Sequence, residues 1–410
     1  MKKIILPILL LLILQLSCKD NGVTPPPKNN PPGWQEDIPW PSLADSPWPM
    51  NHNDPQNTGR YKGRILINGS IDFYIDSLYL FTGISISPDS NIYFCSSMPG
   101  YIHSYNINGI FNWKVKLGNE NIYTTPLIDN NGNIYCISGQ EGILYSLSSE
   151  GNIQWTYNLG FPVWQTTLNI DKEGNLYVID GGGNLNAVSS TGTLLWKIHD
   201  ARFNPSSGVA ISISPDGRTM YLPGQSSTSL LALDLISQSI KWIFGNSEVL
   251  HTPVIDSQGN IYLFCKSSLV DSLKPFFFSI TNDGKIRWYF DYQVGVNNYI
   301  FGNADPTIDV EGNIYFALDS LYSLDYSGNL KWKLDLDEFN WSPIICDESG
   351  TVIVCENQNG LSRILAIKNG NIAWQTEINF TNNGSGSSPA LGFSKLFVPT
   401  WKSSHIITIR

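Results

Sequence analysis

The sequence predicts an all-β protein: an eight-bladed β-propeller with four antiparallel strands per blade, the last blade being closed by the N-terminal strand. Three observations carry this. Seven tryptophans (Trp113, Trp155, Trp196, Trp242, Trp288, Trp332 and Trp374) recur at gaps of 42, 41, 46, 46, 44 and 42 residues. Six of them follow a glycine by four residues, and Gln238 stands in that place before Trp242. An eighth copy lies upstream, where INGSIDFYI (Ile67 to Ile75) aligns without gaps on INGIFNWKV (Ile107 to Val115) and puts Phe73 in the tryptophan position. Repeats of this length mark arrays of one supersecondary unit.

The second strand of each unit announces itself through a turn. DNNGNIY, DKEGNLY, DSQGNIY and DVEGNIY begin at Asp129, Asp171, Asp256 and Asp309, and weaker copies end at Tyr93 and Tyr221, follow Asp347 and start at Gly392. Asp hydrogen-bonds the backbone ahead of it, and Gly supplies the positive φ of a tight hairpin. A third strand of the LYSL kind and then the Trp strand complete four short antiparallel strands, a propeller blade. The array opens with a lone outer strand and ends at Arg410 without one. Joining the termini into one blade closes the ring and leaves no exposed edge.

Ahead of the array, residues 1–17 read as an export signal. Lys2 and Lys3 precede an apolar run from Ile4 to Leu16, too short for the roughly 20 residues that span a bilayer. Ser17-Cys18 resembles a lipobox, in which Cys18 is acylated and becomes the new N-terminus. Residues 18–47, rich in Pro and Asn, read as a tether too poor in apolar groups to offset its ordering entropy. The propeller is expected over residues 48–410. Lys19 after the acylated cysteine favours the outer membrane, facing the periplasm, with the lipid as the sole membrane attachment.

Loss of Lys2 and Lys3 takes the net charge from -10 to -12, and no basic cluster exists, so nucleic acid is not an expected partner. Five cysteines remain (Cys95, Cys136, Cys265, Cys346 and Cys355), an odd number with no adjacent pair, and they read as small buried hydrophobes.

The repeat D-x-x-G-N-x-Y, L-Y-S-L, G-x-x-x-W, with the lead-in SPWPMNHNDPQNTGR (Ser46 to Arg60), resembles the pyrroloquinoline-quinone (PQQ)-like propeller repeats over nearly all of the mature chain. That superfamily holds quinoprotein dehydrogenases and also BamB, a non-enzymatic lipoprotein of the outer-membrane β-barrel assembly machinery. The resemblance implies a docking role for Phe73 and the seven tryptophans, each ring packing across a seam onto the next blade. Large apolar area with one N–H donor suits that place.

Enzyme signatures are missing. There is no Cys-Cys pair, no C-x-x-C-H, and no G-x-S-x-G, H-E-x-x-H or phosphate-binding loop. The Asp-x-x-Gly-Asn turns lack the terminal bidentate Glu of a calcium loop, so they read as turn chemistry. No catalytic residue, cofactor or metal is expected. A binding face is expected on the loops that lead into the innermost strands, where Tyr123, Trp164, His251 and Trp341 occupy nearly equivalent positions and the longest loop adds Tyr299. The competing expectation is that these rings pack inside the channel. The insertion Cys265 to Pro275 extends the same face. The reading is a monomeric, lipid-anchored envelope scaffold that binds another protein, with ligand or polysaccharide binding as the second class and a PQQ-dependent dehydrogenase as the third.

Overall fold

The computed structural model describes residues 30–410 apart from 77–79, 81, 98, 164–166, 205–208, 226, 247–250, 268–269, 292–303, 319, 337, 340–342, 359–360, 379–387 and 401–404. Thirty-four strands and no helix occur among the described residues. They form eight sheets, seven antiparallel ones of four strands and one enlarged to six that includes a parallel pair. Blade 1 runs from Ser85 to Lys116, blade 2 from Leu127 to Asn158 and blade 3 from Asn169 to His199. Blades 4, 5 and 6 run from Ser212 to Phe244, Val254 to Phe290 and Ala304 to Asp335. Blade 7 runs from Ile345 to Ile378. Blade 8 takes three strands from Ala390 to Ile409 and its outer strand, Ile71–Asp76, from the N-terminal side. Phe73 pairs with Thr408 there, which is the closure expected from the repeat phase.

Each motif residue has a local task. Asp129 accepts the backbone N–H groups of Asn131 and Asn133, the Asn133 side-chain amide and the Tyr135 hydroxyl, all at 2.8–2.9 Å. Asp171, Asp256 and Asp309 repeat the same four bonds. The carboxylate therefore ties a turn to the strand that follows it, and its lone pairs are consumed by internal donors. Burial pushes Asp256 and Asp309 above the usual carboxylate range, against the pull of those hydrogen bonds.

The blades meet through the Trp/Gly pairs. Trp113 of blade 1 lies on Gly151 of blade 2, where a Cβ would sit 2.8 Å from the ring, and its indole N–H donates to Ser149 O at 2.8 Å. Trp155, Trp242 and Trp288 make the same bond to Ser190, Asn282 and Tyr326. Phe73 lies on Gly109 and Trp374 on Gly69, so the joined termini dock on both sides like any other blade. Trp332 lies against Gly370. In the seam of blades 3 and 4 the glycine position is taken by Gln238, whose φ of 56° is left-handed, and Trp196 makes no such cross-seam bond among the described residues. Gln238→Gly is expected to raise stability by about 1 kcal/mol, because an L-residue pays about that much in this conformation. Urea denaturation of the purified domain measures it.

Seven apolar clusters fill the seams. Six lie between consecutive blades from 1 to 7. The seventh joins blades 7, 8 and 1 around Ile364, Phe397 and Ile92. Among the described residues the five cysteines form no disulfide and are buried in these layers, and burial pushes the Cys265 thiol up to about 12.

The N-terminal segment departs from expectation. The tether expected up to Pro47 gives way to packed chain by Gly33, against whose Cα the Tyr326 ring lies too close to admit a Cβ. Gln35 N donates to Val310 O at 2.7 Å and Gln35 Oε1 accepts from Ser257 N at 2.8 Å. Trp40 Nε1 donates to Ile170 O at 3.0 Å, Ser42 bonds Asp171 O, and Leu43 bridges Asp129. Residues 35–43 thus cross from the turns of blades 5 and 6 to those of blades 2 and 3. A composition poor in apolar groups misleads here, because the segment is held through main-chain groups that composition does not register.

Candidate functional site at the propeller axis

The innermost strands are two to five residues long, and their inward edges carry unpaired N–H groups that need acceptors. The lead-in Ser46 to Arg60 supplies them. Ile86 N donates to Trp48 O, Ile128 N to Pro49 O, Ile213 N to Pro55 O, Ile255 N to Gln56 O, Ile308 N to Thr58 O and Cys346 N to Gly59 O, at 2.7–3.3 Å. These are the same position in blades 1, 2, 4, 5, 6 and 7. In blade 3 the Asn169 side-chain amide reaches Pro55 O at 3.2 Å instead. Side chains add to this: Gln56 Nε2 donates to Ile213 O at 3.0 Å and Asn57 Nδ2 to Ile211 O at 2.9 Å. Arg60 and Tyr61 then pair in parallel with Cys346 and Asp347. Trp48, Met50, His52, Asn57 and Gly59 are buried, so the lead-in forms an axial plug. His52, Asn53 and Asn57 adopt positive φ (54°, 74° and 56°), as the doubling back requires.

A second set of bonds rings the axis at the start of the inner strands. Gly83 N donates to Thr125 Oγ1, Ala210 N to Thr252 Oγ1 and Thr252 N to Asp305 Oδ1, at 2.9, 3.1 and 2.7 Å. Each donor belongs to one blade and each acceptor to the equivalent place in the next. Asp305 is a carboxylate where the other acceptors are threonine hydroxyls, and the plug answers it: His52 Nε2–H donates to Asp305 Oδ2 at 2.9 Å. His251 Nδ1 lies 3.9 Å from the other carboxylate oxygen and has no hydrogen-bond partner of its own. Burial alone would raise Asp305, but the His52 bond and charge, His251 and the Thr252 N–H hold it below the usual carboxylate value. Burial drives His251 down to about 4 against the pull of Asp305, so its ring is neutral at physiological pH.

The residues expected on the loop face divide. His251 is buried with its ring 4.8 Å from that of Phe264, which is channel packing and not a presented contact. Tyr123 is half-buried, and its hydroxyl accepts the Asn121 amide at 2.7 Å. Trp164, Tyr299 and Trp341 lie outside the described residues, as does Cys18. The insertion in blade 5 is a lengthened hairpin, with Ser267 paired to Asp271. Sequence reasoning missed His52 and Asp305. They are 253 residues apart and share no motif, and the one available signal was an Asp in a position that holds Thr in blades 2, 3 and 5 and a small residue in blades 1, 4 and 8.

Among the described residues no group of three His, Cys, Asp or Glu side chains is placed to hold a metal ion. The His52–Asp305–His251 set has one carboxylate shared by two imidazoles and no nucleophile. Its geometry serves to fasten the plug.

Residues 92–220 match the model of the lambda-carrageenase β-propeller domain. No curated protein matches the sequence. Solved structures with a similar fold include a europium-containing methanol dehydrogenase, at 13% identity and TM-score 0.65 over 87% of this chain and 90% of that one. BamB from Moraxella catarrhalis is similar at 14% identity and TM-score 0.58, over 83% of this chain and 96% of that one. The quinohemoprotein alcohol dehydrogenase from Comamonas testosteroni is similar at 11% identity and TM-score 0.64, over 90% and 80%. At these identities the likeness is one of fold alone.

Proposed function

We propose that this chain is a lipid-anchored propeller of the bacterial envelope that binds another protein and carries out no chemistry itself. The observation that supports this reading is the axial plug. Residues 48–60 take up the inner-strand N–H groups of six blades and bury Trp48, Met50 and His52 on the axis. On the loop face, what remains for recognition is the rim of loops, including the lengthened hairpin of blade 5. The fold shared with BamB supports an envelope role by analogy of architecture. Acylation at Cys18 and outer-membrane placement belong to the same proposal.

Two measurements test it. Capture of the tagged full chain from detergent-solubilised envelopes is expected to recover a stoichiometric membrane-protein partner. Recovery of the chain alone after cross-linking contradicts the scaffold reading. Titration with PQQ and Ca²⁺ is expected to show no saturable binding in the micromolar range, whereas binding together with dye-linked alcohol oxidation overturns the non-catalytic reading. Polysaccharide recognition is the second reading, favoured by the match of residues 92–220 to a carrageenase propeller. Glycan-array binding with no recovered protein partner selects it.

A further inference from the structure

On the turn face, opposite the loop rim, the crossing segment 35–46 and the plug residues 49–60 line a half-open cavity of about 570 Å³. That volume falls within the range of roughly 300–1,000 Å³ typical of small-molecule sites. Arg60 lies in its wall and is only 8% exposed. Its guanidinium makes one long hydrogen bond, from Nη1 to Asp309 O at 3.3 Å, and among the described residues it has no ion-pair partner. The Asp309 carboxylate does not serve, since its oxygens are taken by Glu311 N, Asn313 and Tyr315. The Asp54 carboxylate, also in the wall, accepts Gln56 N, Thr58 N and the Thr58 hydroxyl. The remaining guanidinium donors are not sealed in the packed interior, and with Arg60 in the wall they are open to a ligand.

The rest of the lining says what that ligand carries. The roof holds exposed carboxylates at Glu36, Asp37 and Asp45. These repel a bare oxyanion but accept hydrogen bonds from hydroxyl groups. Between the charges lie apolar walls of Pro39, Pro41 and Pro55. Lys62 stands at the edge with Asp37 3.8 Å away, both well exposed. A donor for each acceptor, an oxyanion for the guanidinium and a flat apolar body together describe a sugar acid.

We propose that this cavity binds an acidic saccharide of one or two rings, its carboxylate on Arg60 and its hydroxyls on the roof carboxylates. This site is independent of any partner held by the loop rim.

Isothermal titration of the full mature chain with digalacturonate tests it, with maltose and sodium sulfate as the neutral and the bare-anion probes. Digalacturonate is expected to bind with Kd below about 1 mM, and both other probes at least about tenfold more weakly. Arg60→Met is expected to weaken digalacturonate about tenfold or more. Lys62→Glu, an exposed change that leaves the fold alone, is expected to weaken binding about threefold. The proposal is overturned if digalacturonate gives no saturable heat up to about 10 mM, ten times the expected Kd ceiling. It is also overturned if sulfate or maltose binds equally well. Undiminished affinity in Arg60→Met overturns it, and so does undiminished affinity in Lys62→Glu where Arg60→Met does not fold.

Discussion

Asp305→Ala is expected to cost about 2–4 kcal/mol of folding stability, read from urea or thermal unfolding at pH 7. The side chain accepts His52 Nε2–H, Thr252 N–H and the Thr252 hydroxyl, and it is 17% exposed. Removing it orphans three donors at the point where plug, blade 5 and blade 6 meet. Breaking one side of a fully buried pair costs about 3–5 kcal/mol, and partial exposure lowers the figure. Asp305→Asn keeps the acceptor for Thr252 and is expected to cost less.

The same cluster sets an acid limit. His251 has an ordinary value of 6.5 and is depressed to about 4 when folded. A depressed group contributes nothing above the unfolded value, and its unfolded form takes the proton first as pH falls. Stability is therefore expected to drop by about 2–3 kcal/mol between pH 6.5 and 4 and to level off below. Asp305, also held below its unfolded value, adds a loss at still lower pH. His251→Gln is expected to flatten the slope between pH 6.5 and 4, and an unchanged slope assigns it to other groups.

The second large effect is expected at a turn. Asp309→Ala removes the acceptor for Glu311 N, Asn313 N, the Asn313 amide and the Tyr315 hydroxyl. Asp309 is buried at 2%, and Tyr315 packs with its ring 5.8 Å from that of Trp332, so the orphaned groups have little access to water. At about 1–3 kcal/mol for each buried group left unsatisfied, with partial relaxation, the expected loss is about 3–4 kcal/mol. The equivalent change at Asp325, half-buried in the outer turn beside the exposed Ser327 and Asn329, is expected to cost under about 1 kcal/mol. Comparable losses at the two positions contradict this account of the D-x-x-G-N-x-Y motif.

Why the blades were legible and the axis was not follows from what each depends on. Blade structure repeats, so every copy of the turn Asp, the seam Gly and the Trp reinforces the rest, and Phe73 could be found by phase alone. The lead-in occurs once. Its main-chain carbonyls accept from amides that are in four of six cases more than a hundred residues away, as Pro55 does from Ile213, and such pairings leave no mark in periodicity or composition. Pro39, Pro41 and Pro47 read as tether, and in the lead-in beyond them proline carbonyls accept hydrogen bonds as well as any other: Pro49 O takes Ile128 N. His251 was visible as a ring at the start of an inner strand. Whether it faced a ligand or the core depended on His52 and Asp305, contributed by segments that the repeat does not relate to it.

Hydrogen exchange of the main-chain amides tests the axial plug most directly. Ile86, Ile128, Ile213, Ile255, Ile308 and Cys346 donate to the lead-in, and Asn53, Asn57 and Gly59 donate within it. If residues 48–60 are part of the propeller, these amides exchange with the slow core, at least about a thousandfold slower than in unstructured chain. Fast exchange across residues 48–60 and at the six inner-strand amides, with the outer strands still protected, contradicts the plug.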